Sequence, residues 1–269
     1  MLKILLHHKV IAHSKSREWM ILIHGIGGSS SIWFKQIRDL RKVFNLILID
    51  LPGHGGNEQG ICDDDDRSLF RIARQVLRVL DHRQIHAAHF VGISLGTIII
   101  QAVQELSPER VKTMILGGAV ERIYKPLLTF LKLMEWIKFL VPYMWLYRMA
   151  AYLLMPRKRH AEARRVFIQE AVQLGQKEFF CWYNLLCREL NPFFERKRIY
   201  DETPTLYIMG GEDFMFLPTI KTHFYHLKNS QLYIIHKCGH VCNIEREKVF
   251  NHRCIGFIRS NGMYSSKAN

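Results

Sequence analysis

The sequence predicts an α/β protein with a doubly wound, mostly parallel sheet and a helical segment inserted between two of its strands. Short runs rich in Ile, Leu and Val alternate with longer stretches of helical pattern, which is typical of sheets covered by helices on both faces. The apolar runs show little polar alternation, as expected for strands buried on both sides. A chain of 269 residues suits one large domain with an insertion.

The alternation resolves into candidate strands and helices. Strands are predicted at Trp19 to Ile23, Leu46 to Ile49, Ala88 to Val91, Thr113 to Leu116, Thr205 to Met209 and Leu232 to Ile235. Helices are predicted at Ile32 to Arg41, Ser68 to Asp81, Leu95 to Leu106 and Glu245 to Arg259.

Four consecutive aspartates, Asp63 to Asp66, precede the second predicted helix. Carboxylates at a helix start accept free N–H groups and complement the helix dipole, so we expect them to cap this helix. The alternative is a divalent cation site, since clustered carboxylates are ligands for such ions.

Residues 120–200 interrupt the strand–helix alternation. They are helical in pattern and dense in large apolar and aromatic side chains. We therefore predict a core of residues 1–119 and 201–269 and a helical cap of residues 120–200 over the strand ends. The apolar side chains of the cap can line an acyl pocket, contact lipid at an interface, or pack the cap helices on each other and on the core.

The chain is strongly basic. It carries 38 Lys and Arg against 24 Asp and Glu, a formal net charge of +14, which attracts anionic membranes, nucleic acid or acidic substrates. The basic residues are spread along the chain, and no sequence signature of a nucleic-acid-binding module is present. We expect no nucleic-acid partner, a charge that serves mainly solubility, and at most weak contact with membrane surfaces. The sequence does not indicate an oligomeric state.

The N-terminal stretch and the cysteines predict a cytoplasmic protein. The start of the sequence lacks the apolar run and cleavage site of a signal peptide, and no run of about 18 uninterrupted apolar residues predicts a membrane span. Without a secretion signal, we expect reduced thiols at all six cysteines: Cys62, Cys181, Cys187, Cys238, Cys242 and Cys254.

Two of these cysteines have histidines nearby, which raises the alternative of a metal site. Cys238 and Cys242 lie close to His236 and His240. No second ligand pair with zinc spacing accompanies them, so we favour a strand end followed by a loop and predict no metal.

The most informative motif is Gly92-Ile93-Ser94-Leu95-Gly96, between a predicted strand and a predicted helix. A serine in such a sharp turn has its hydroxyl held out beyond the strand end, and small flanking residues are needed to fit the turn. The N-terminus of the following helix favours developing negative charge. The motif predicts Ser94 as a nucleophile.

Two further motifs follow the first two strands. His24-Gly25-Ile26-Gly27-Gly28 is a glycine-rich turn that brings backbone N–H groups close to a substrate, so we predict the Ile26 and Leu95 amides as oxyanion donors. Asp50 opens the second motif, Asp50 to Gly56. It precedes the nucleophile in the chain, and we expect it to organise a tight loop.

The remaining candidates follow the last two predicted strands. Asp213 comes directly after Gly210-Gly211-Glu212, and a carboxylate there can orient an imidazole. Glu212 is the alternative acid. His240 lies on the loop after the last strand, with glycine before it and a helix after it. Ser94, Asp213 and His240 therefore occur in the order nucleophile, acid, base.

These motifs together resemble the α/β-hydrolase superfamily from Trp19 to Arg259. The matching stretches are HGIGG, DLPGHG, GISLG, GGED and GH. The resemblance implies the α/β-hydrolase fold, Ser94 as nucleophile, His240 as base and Asp213 as acid, with Ile26 and Leu95 as oxyanion donors. The N-terminus is shorter than a full complement of leading strands would need.

The expected activity is hydrolysis of carboxylic esters with hydrophobic acyl or aryl groups, through an acyl-enzyme and without a metal or organic cofactor. The substrate class is then small, hydrophobic ester molecules. Lipid esters, thioesters and carbon–carbon bonds remain alternatives, because the same triad serves each. The alternative from another class is a ligand-binding signalling protein that keeps the triad without turnover.

Overall fold

The computed structural model describes residues 5–63, 66–121, 141–195, 202–225 and 227–265. A seven-stranded sheet has the order β1-β3-β2-β4-β5-β6-β7. Only β1 is antiparallel to its neighbour, and the other strand pairs are parallel. The strands are β1 His8–Ile11, β2 Trp19–Ile23, β3 Asn45–Ile49, β4 Ala88–Ile93, β5 Val111–Gly117, β6 Thr205–Gly210 and β7 Ser230–Ile235.

Helices cover both faces of the sheet, which confirms the predicted doubly wound α/β class. Alternate side chains of β2 enter opposite hydrophobic clusters, because successive residues of a strand point to opposite faces. Ile21 and Ile23 join one cluster, with the helices that begin at Leu69 and Leu95. Met20 and Leu22 join the other, with the last helix of the chain. The core helices are α1 Phe34–Leu40, α2 Leu69–His82 and α3 Leu95–Leu106.

Three α-helices are described between β5 and β6, within the predicted cap. They are α4 Tyr143–Leu154, α5 Ala161–Leu174 and α6 Gln176–Glu195, and are called the cap helices below. Residues 122–140 and 196–200 of the predicted cap lie outside the described residues. The division into core and cap stays a prediction. None of the described helices is long and apolar enough to cross a bilayer.

The remaining helices follow β6 and β7. They are α7 Leu217–Phe224, α8 Cys242–Glu245 and α9 Glu247–Ser265. The sequence pattern missed α7 and α8, and it placed the last helix at Glu245 to Arg259, within and just before α9. It also missed β1, an edge strand of four residues, HKVI, that pairs with β3. A half-exposed edge strand needs no continuous apolar run, so the pattern used for the buried strands passes over it.

The predicted capping of α2 by the aspartate run is wrong. The N-cap is Ser68, whose hydroxyl accepts the Arg71 N–H at 3.1 Å, and the first turn contains no acidic residue. Asp66 instead lies 3.0 Å from Arg74 as an ion pair. Asp64 and Asp65 lie outside the described residues. A serine hydroxyl satisfies the helix N-terminus as well as a carboxylate does, and it lies in register with the helix.

The expectation of six reduced thiols is also wrong. Cys62 and Cys181 form a disulfide between the 3-10 helix Ile61–Asp63 and cap helix α6, across 119 residues of sequence. The other four cysteines form no disulfide in the described part of the chain. Sequence spacing carries no sign of this pair, because only the docking of α6 on the core brings the two residues together.

Candidate active site

Ser94 lies in a strained turn between β4 and α3. Its backbone angles are φ 52° and ψ −117°, in a region that residues with a Cβ rarely adopt. The turn tolerates no side chain two positions before or two positions after the serine. A Cβ on Gly92 would lie 2.7 Å from the Gly96 carbonyl carbon, and one on Gly96 would collide with the Ile23 carbonyl oxygen. The close approach of two backbones explains both glycines.

The loops after β6 and β7 bring Asp213 and His240 together. The His240 Nδ1 lies 2.7 Å from the Asp213 Oδ2, and both side chains are fully buried. The other carboxylate oxygen, Oδ1, accepts the Phe216 N–H at 3.1 Å. An ionised carboxylate accepts from Nδ1–H, so the neutral imidazole has its lone pair on Nε2.

Glu212, the alternative acid, faces the segment between cap helices α4 and α5 instead of His240. Its carboxylate lies 2.9 Å from the His160 Nε2 and 3.2 Å from the Arg157 Nε. His160 also lies 3.7 Å from Glu245, which accepts the Gly239 N–H at 2.8 Å. The geometry therefore brings Asp213, and not Glu212, to the imidazole.

Ser94 and His240 line the same pocket. The His240 Nε2 is buried and has no hydrogen-bond partner in the described part of the chain, so it does not bond to the Ser94 hydroxyl here. The Phe216 ring packs 5.2 Å from the imidazole, centroid to centroid. A buried acceptor nitrogen without a partner costs free energy unless a donor approaches it. Catalytic hydrogen bonds often tighten only when substrate binds.

The glycine-rich turn after β2 lies against the serine. It carries Ile26, a predicted oxyanion donor, and we therefore call residues 25–28 the oxyanion loop. A Cβ on Gly25 would lie 3.2 Å from the Ser94 Cβ. The Gly25 carbonyl accepts the Gly28 N–H at 3.0 Å and lies 2.7 Å from the His24 Nδ1. Because a trans peptide is planar, the Ile26 N–H points opposite to this held carbonyl. The Leu95 N–H, at the first residue of α3, has no acceptor within its helix.

Two buried histidines brace the oxyanion loop, and the sequence analysis missed this role. The His24 Nε2 accepts the Leu51 N–H at 2.9 Å. The His54 Nε2 accepts the Gly27 N–H at 3.0 Å. Burial lowers the pKa of both imidazoles, that of His54 to about 3. His24 lies in the motif HGIGG and His54 in the motif PGHG. Membership of these motifs is the sequence signal that could have indicated their role.

Asp50 organises the loop that follows β3, as expected. Its carboxylate accepts the Gly56 N–H at 3.0 Å and the Ser30 N–H at 2.5 Å, and it lies 2.7 Å from the His7 Nδ1. Burial opposes the charged form, but these backbone hydrogen bonds outweigh it and lower the pKa of Asp50. The contacts with this loop, with Ser30 and with His7 occupy both carboxylate oxygens.

Two pockets meet at Ser94. The large pocket has a volume of about 970 Å³ including its open mouth. The small pocket, with about 370 Å³ on the same basis, contains His240 and Glu170. Described residues that line the large pocket are mostly apolar: Ile98, Val120, Leu153, Leu154, Phe167, Phe179, Leu186, Leu190, Met215 and Phe216.

No group of three or more His, Cys, Asp or Glu residues with metal-binding geometry occurs among the described residues. Cys238 and Cys242 are buried, and burial raises the pKa of both thiols far above the usual value. Thiols held in this protonated form are poor ligands for a metal ion.

The sequence matches the family described as alpha/beta hydrolase fold over residues 18–247. The chain therefore belongs to the α/β-hydrolase family, and its sheet and flanking helices have that fold. It is similar in fold to the enol-lactonase from Burkholderia xenovorans LB400, with a TM-score of 0.77, 19% identity, and coverage of 94% of this chain and 96% of the lactonase.

Two curated relatives illustrate the range of similar sequences. A 2-hydroxy-6-oxononadienedioate/2-hydroxy-6-oxononatrienedioate hydrolase of Paraburkholderia phymatum is 26% identical, with 90% of this chain and 87% of the relative covered. A pimeloyl-(acyl-carrier protein) methyl ester esterase of Pseudoalteromonas atlantica is 35% identical over 39% of this chain and 38% of the relative. The chain covers only 25 to 40% of the length of four others that are 30 to 34% identical.

Proposed function

We propose that this protein is a serine hydrolase of carboxylic esters with hydrophobic acyl or aryl groups. Ser94 is the nucleophile, His240 the base and Asp213 the acid that orients it. The backbone N–H groups of Ile26 and Leu95 hold the oxyanion. The observation that carries the proposal is the strained Ser94 turn, which shares a pocket with an imidazole that contacts a buried carboxylate at 2.7 Å.

The reaction begins when the His240 Nε2 takes the Ser94 hydroxyl proton and Oγ attacks the ester carbonyl. The oxyanion forms between the two backbone N–H groups, and each such donor is worth about 3 kcal/mol in comparable enzymes. The imidazolium then gives its proton to the leaving alcohol. Water activated by the same imidazole attacks the acyl-enzyme, and the serine regains its proton as the acid leaves.

The two pockets determine on which side of Ser94 the alcohol and the acyl group of the ester lie. The alcohol must lie near the His240 Nε2, which protonates it, so it occupies the small pocket. The acyl group then extends into the large pocket past Ile98 and Leu190.

The charges of the pocket lining further narrow the range of acyl groups that fit. No Lys or Arg is among the described residues that line either pocket. Burying an unpaired carboxylate is costly, so this chain favours uncharged acyl groups over the dioates in the name of the Paraburkholderia relative.

Covalent labelling tests the nucleophile. We expect a fluorophosphonate probe to label the wild-type protein at Ser94, as read by mass spectrometry of the labelled peptide. Ser94→Ala should lose the label, whereas the exposed-serine control Ser260→Ala should keep it. A folded wild-type protein that resists the probe contradicts the proposal and favours a binding protein without turnover.

An ester panel of graded acyl length tests the substrate class. We expect hydrolysis of uncharged esters with apolar acyl chains, and Ser94→Ala should lower kcat by about 10⁴-fold or more. Preferential cleavage of thioesters, glycerolipids or vinylogous diketones by the unlabelled wild-type enzyme would replace the simple-ester assignment with one of those chemistries.

A further inference from the structure

Cap helix α4 contacts the oxyanion loop through one hydroxyl group. The Tyr147 Oη donates to the Ile26 carbonyl oxygen at 2.8 Å. The Tyr147 side chain is only 2% exposed, and burial raises the pKa of the phenol well above its usual range. The phenol therefore keeps its proton and acts as a donor to this carbonyl.

Aromatic packing fixes the Tyr147 ring independently of its hydroxyl. The ring stacks on Phe167 of α5 with centroids 4.5 Å apart, and it meets Phe179 of α6 edge-on at 5.8 Å. A phenol anchored in this way has few rotamers to lose when it forms a hydrogen bond. The cap helices thus present the hydroxyl at a fixed position.

The Ile26–Gly27 peptide, which accepts this hydrogen bond, is held at both its carbonyl and its N–H group. Tyr147 binds the Ile26 carbonyl, and the His54 Nε2 accepts the Gly27 N–H of the same peptide. Gly27 has φ 71°, and a Cβ there would lie 2.5 Å from the Tyr147 Oη. The close approach of the hydroxyl and the left-handed backbone both require glycine.

We propose that Tyr147 is a positioning residue for the oxyanion loop, so that the cap helices take part in transition-state stabilisation without touching the substrate. This inference rests on the proposed ester hydrolysis. An oxyanion donor must meet the developing charge within a few tenths of an ångström. Removing the hydroxyl frees one end of the Ile26–Gly27 peptide, and the neighbouring Ile26 N–H then samples more orientations.

The test compares Tyr147→Phe with Tyr143→Phe on the same helix. Both variants lose one hydroxyl and keep a ring, but the Tyr143 Oη donates to the Val172 carbonyl of the cap at 3.3 Å instead of to the oxyanion loop. For Tyr147→Phe we expect kcat on a good ester to fall about tenfold, less than the loss of a whole donor, with KM changed by less than about twofold. Tyr143→Phe should match the wild-type protein.

A second readout separates positioning from packing. A trifluoromethyl ketone with the same acyl chain forms an oxyanion on Ser94, whereas the corresponding alcohol does not. We expect the Ki of the ketone to rise in Tyr147→Phe in parallel with the loss of kcat/KM, and the Ki of the alcohol to stay constant. A lower melting temperature alone, without a change in kcat, would indicate a structural role only.

Each remaining outcome has a distinct meaning. Equal losses in both tyrosine variants, or unchanged kinetics in Tyr147→Phe, overturn the inference while ester hydrolysis stands. If the wild-type protein shows no Ser94-dependent hydrolysis, the proposed function fails, and the role of Tyr147 fails with it.

Discussion

The core and the cap helices are held in place by different kinds of contact. In the core, every residue of β3 is buried, and β3 pairs with β2 in parallel register. Cap helix α6 docks on core loops through separate contacts at intervals along one face. Glu178 accepts the Ile61 N–H at 2.6 Å, and the Trp182 Nε1 donates to the Pro52 carbonyl at 3.2 Å.

The difference teaches where sequence patterns carry information and where they do not. A buried strand is specified by its own residues, because burial on both faces demands an apolar run. The docking of α6 depends on pairs more than 100 residues apart in sequence. Its contacts can therefore be removed one at a time, whereas the strands of the sheet depend on each other.

The largest expected effect concerns the disulfide that joins the two regions. Replacing Cys62 and Cys181 by serine, or reducing the wild-type protein, should lower the free energy of unfolding by about 4 kcal/mol, since the bond closes a long loop. Urea unfolding measures this free energy, with and without a reductant that carries no thiol group. The double variant is the control and should not respond to reductant. Equal stability of oxidised and reduced wild-type protein would contradict the cross-link.

A smaller loss of about 3 kcal/mol is expected when the core turn is overpacked by Gly96→Ala. The new methyl group meets the Ile23 and His24 carbonyl oxygens, which cannot move without disturbing β2. Gly256→Ala is the matched control, because it is also a helical glycine and no atom lies within 4 Å of its Cβ position. Thermal unfolding of both variants checks the prediction, and equal melting temperatures would refute it.

The buried histidine between the two regions makes stability depend on pH. The pKa of His54 is lowered to about 3 in the folded protein, so between pH 6.5 and 3 the unfolded chain binds the extra proton. This contribution to stability is present above pH 6.5 and is lost as the pH falls. We expect the loss from pH 7 to pH 5 to be roughly 2 kcal/mol.

His54→Gln provides the comparison for this pH effect, because glutamine keeps a donor and an acceptor but does not titrate. Urea unfolding at both pH values should show a flatter profile for this variant. His252→Gln, at an exposed position, should keep the wild-type slope. Parallel profiles for wild-type protein and His54→Gln would mean that other groups cause the acid sensitivity.

The smallest expected effect concerns Glu189 of α6, which reaches the start of α2. Its Oε2 accepts the Leu69 N–H at 2.9 Å, where a negative charge complements the helix dipole. Glu189→Gln should cost about 0.5–1 kcal/mol, and less at high salt. Chemical denaturation at two salt concentrations measures it, with the exposed Glu195→Gln as the control. A loss that does not depend on salt would argue against a charge effect.

The buried elements and the site motifs could be predicted because they are local. The bounds of α3, Leu95–Leu106, match the prediction, because the turn before it and the apolar run within it lie in one short stretch. Each predicted site residue also follows a strand end, where parallel strands place their loops at one edge.

The rest could not be predicted because it depends on distant partners. The choice between Asp213 and Glu212 needs the position of His160, 52 residues from Glu212. The Cys62–Cys181 bond and the contact of Tyr147 with Ile26 need the docked cap helices. Edge strand β1 has no apolar run of its own, so only its pairing with β3 defines it.

His160 links the cap to the loops that carry Asp213 and His240, and this has a consequence for engineering. Its imidazole contacts the carboxylate of Glu212, the residue before Asp213. It also lies near Glu245, whose carboxylate accepts the N–H of the residue before His240. A chimera that grafts a foreign lid onto this scaffold must supply a matching hydrogen-bond donor at that position. Without that donor, Glu212 loses a hydrogen bond next to the loops of Asp213 and His240, and the graft disturbs the predicted site along with the specificity it was meant to change.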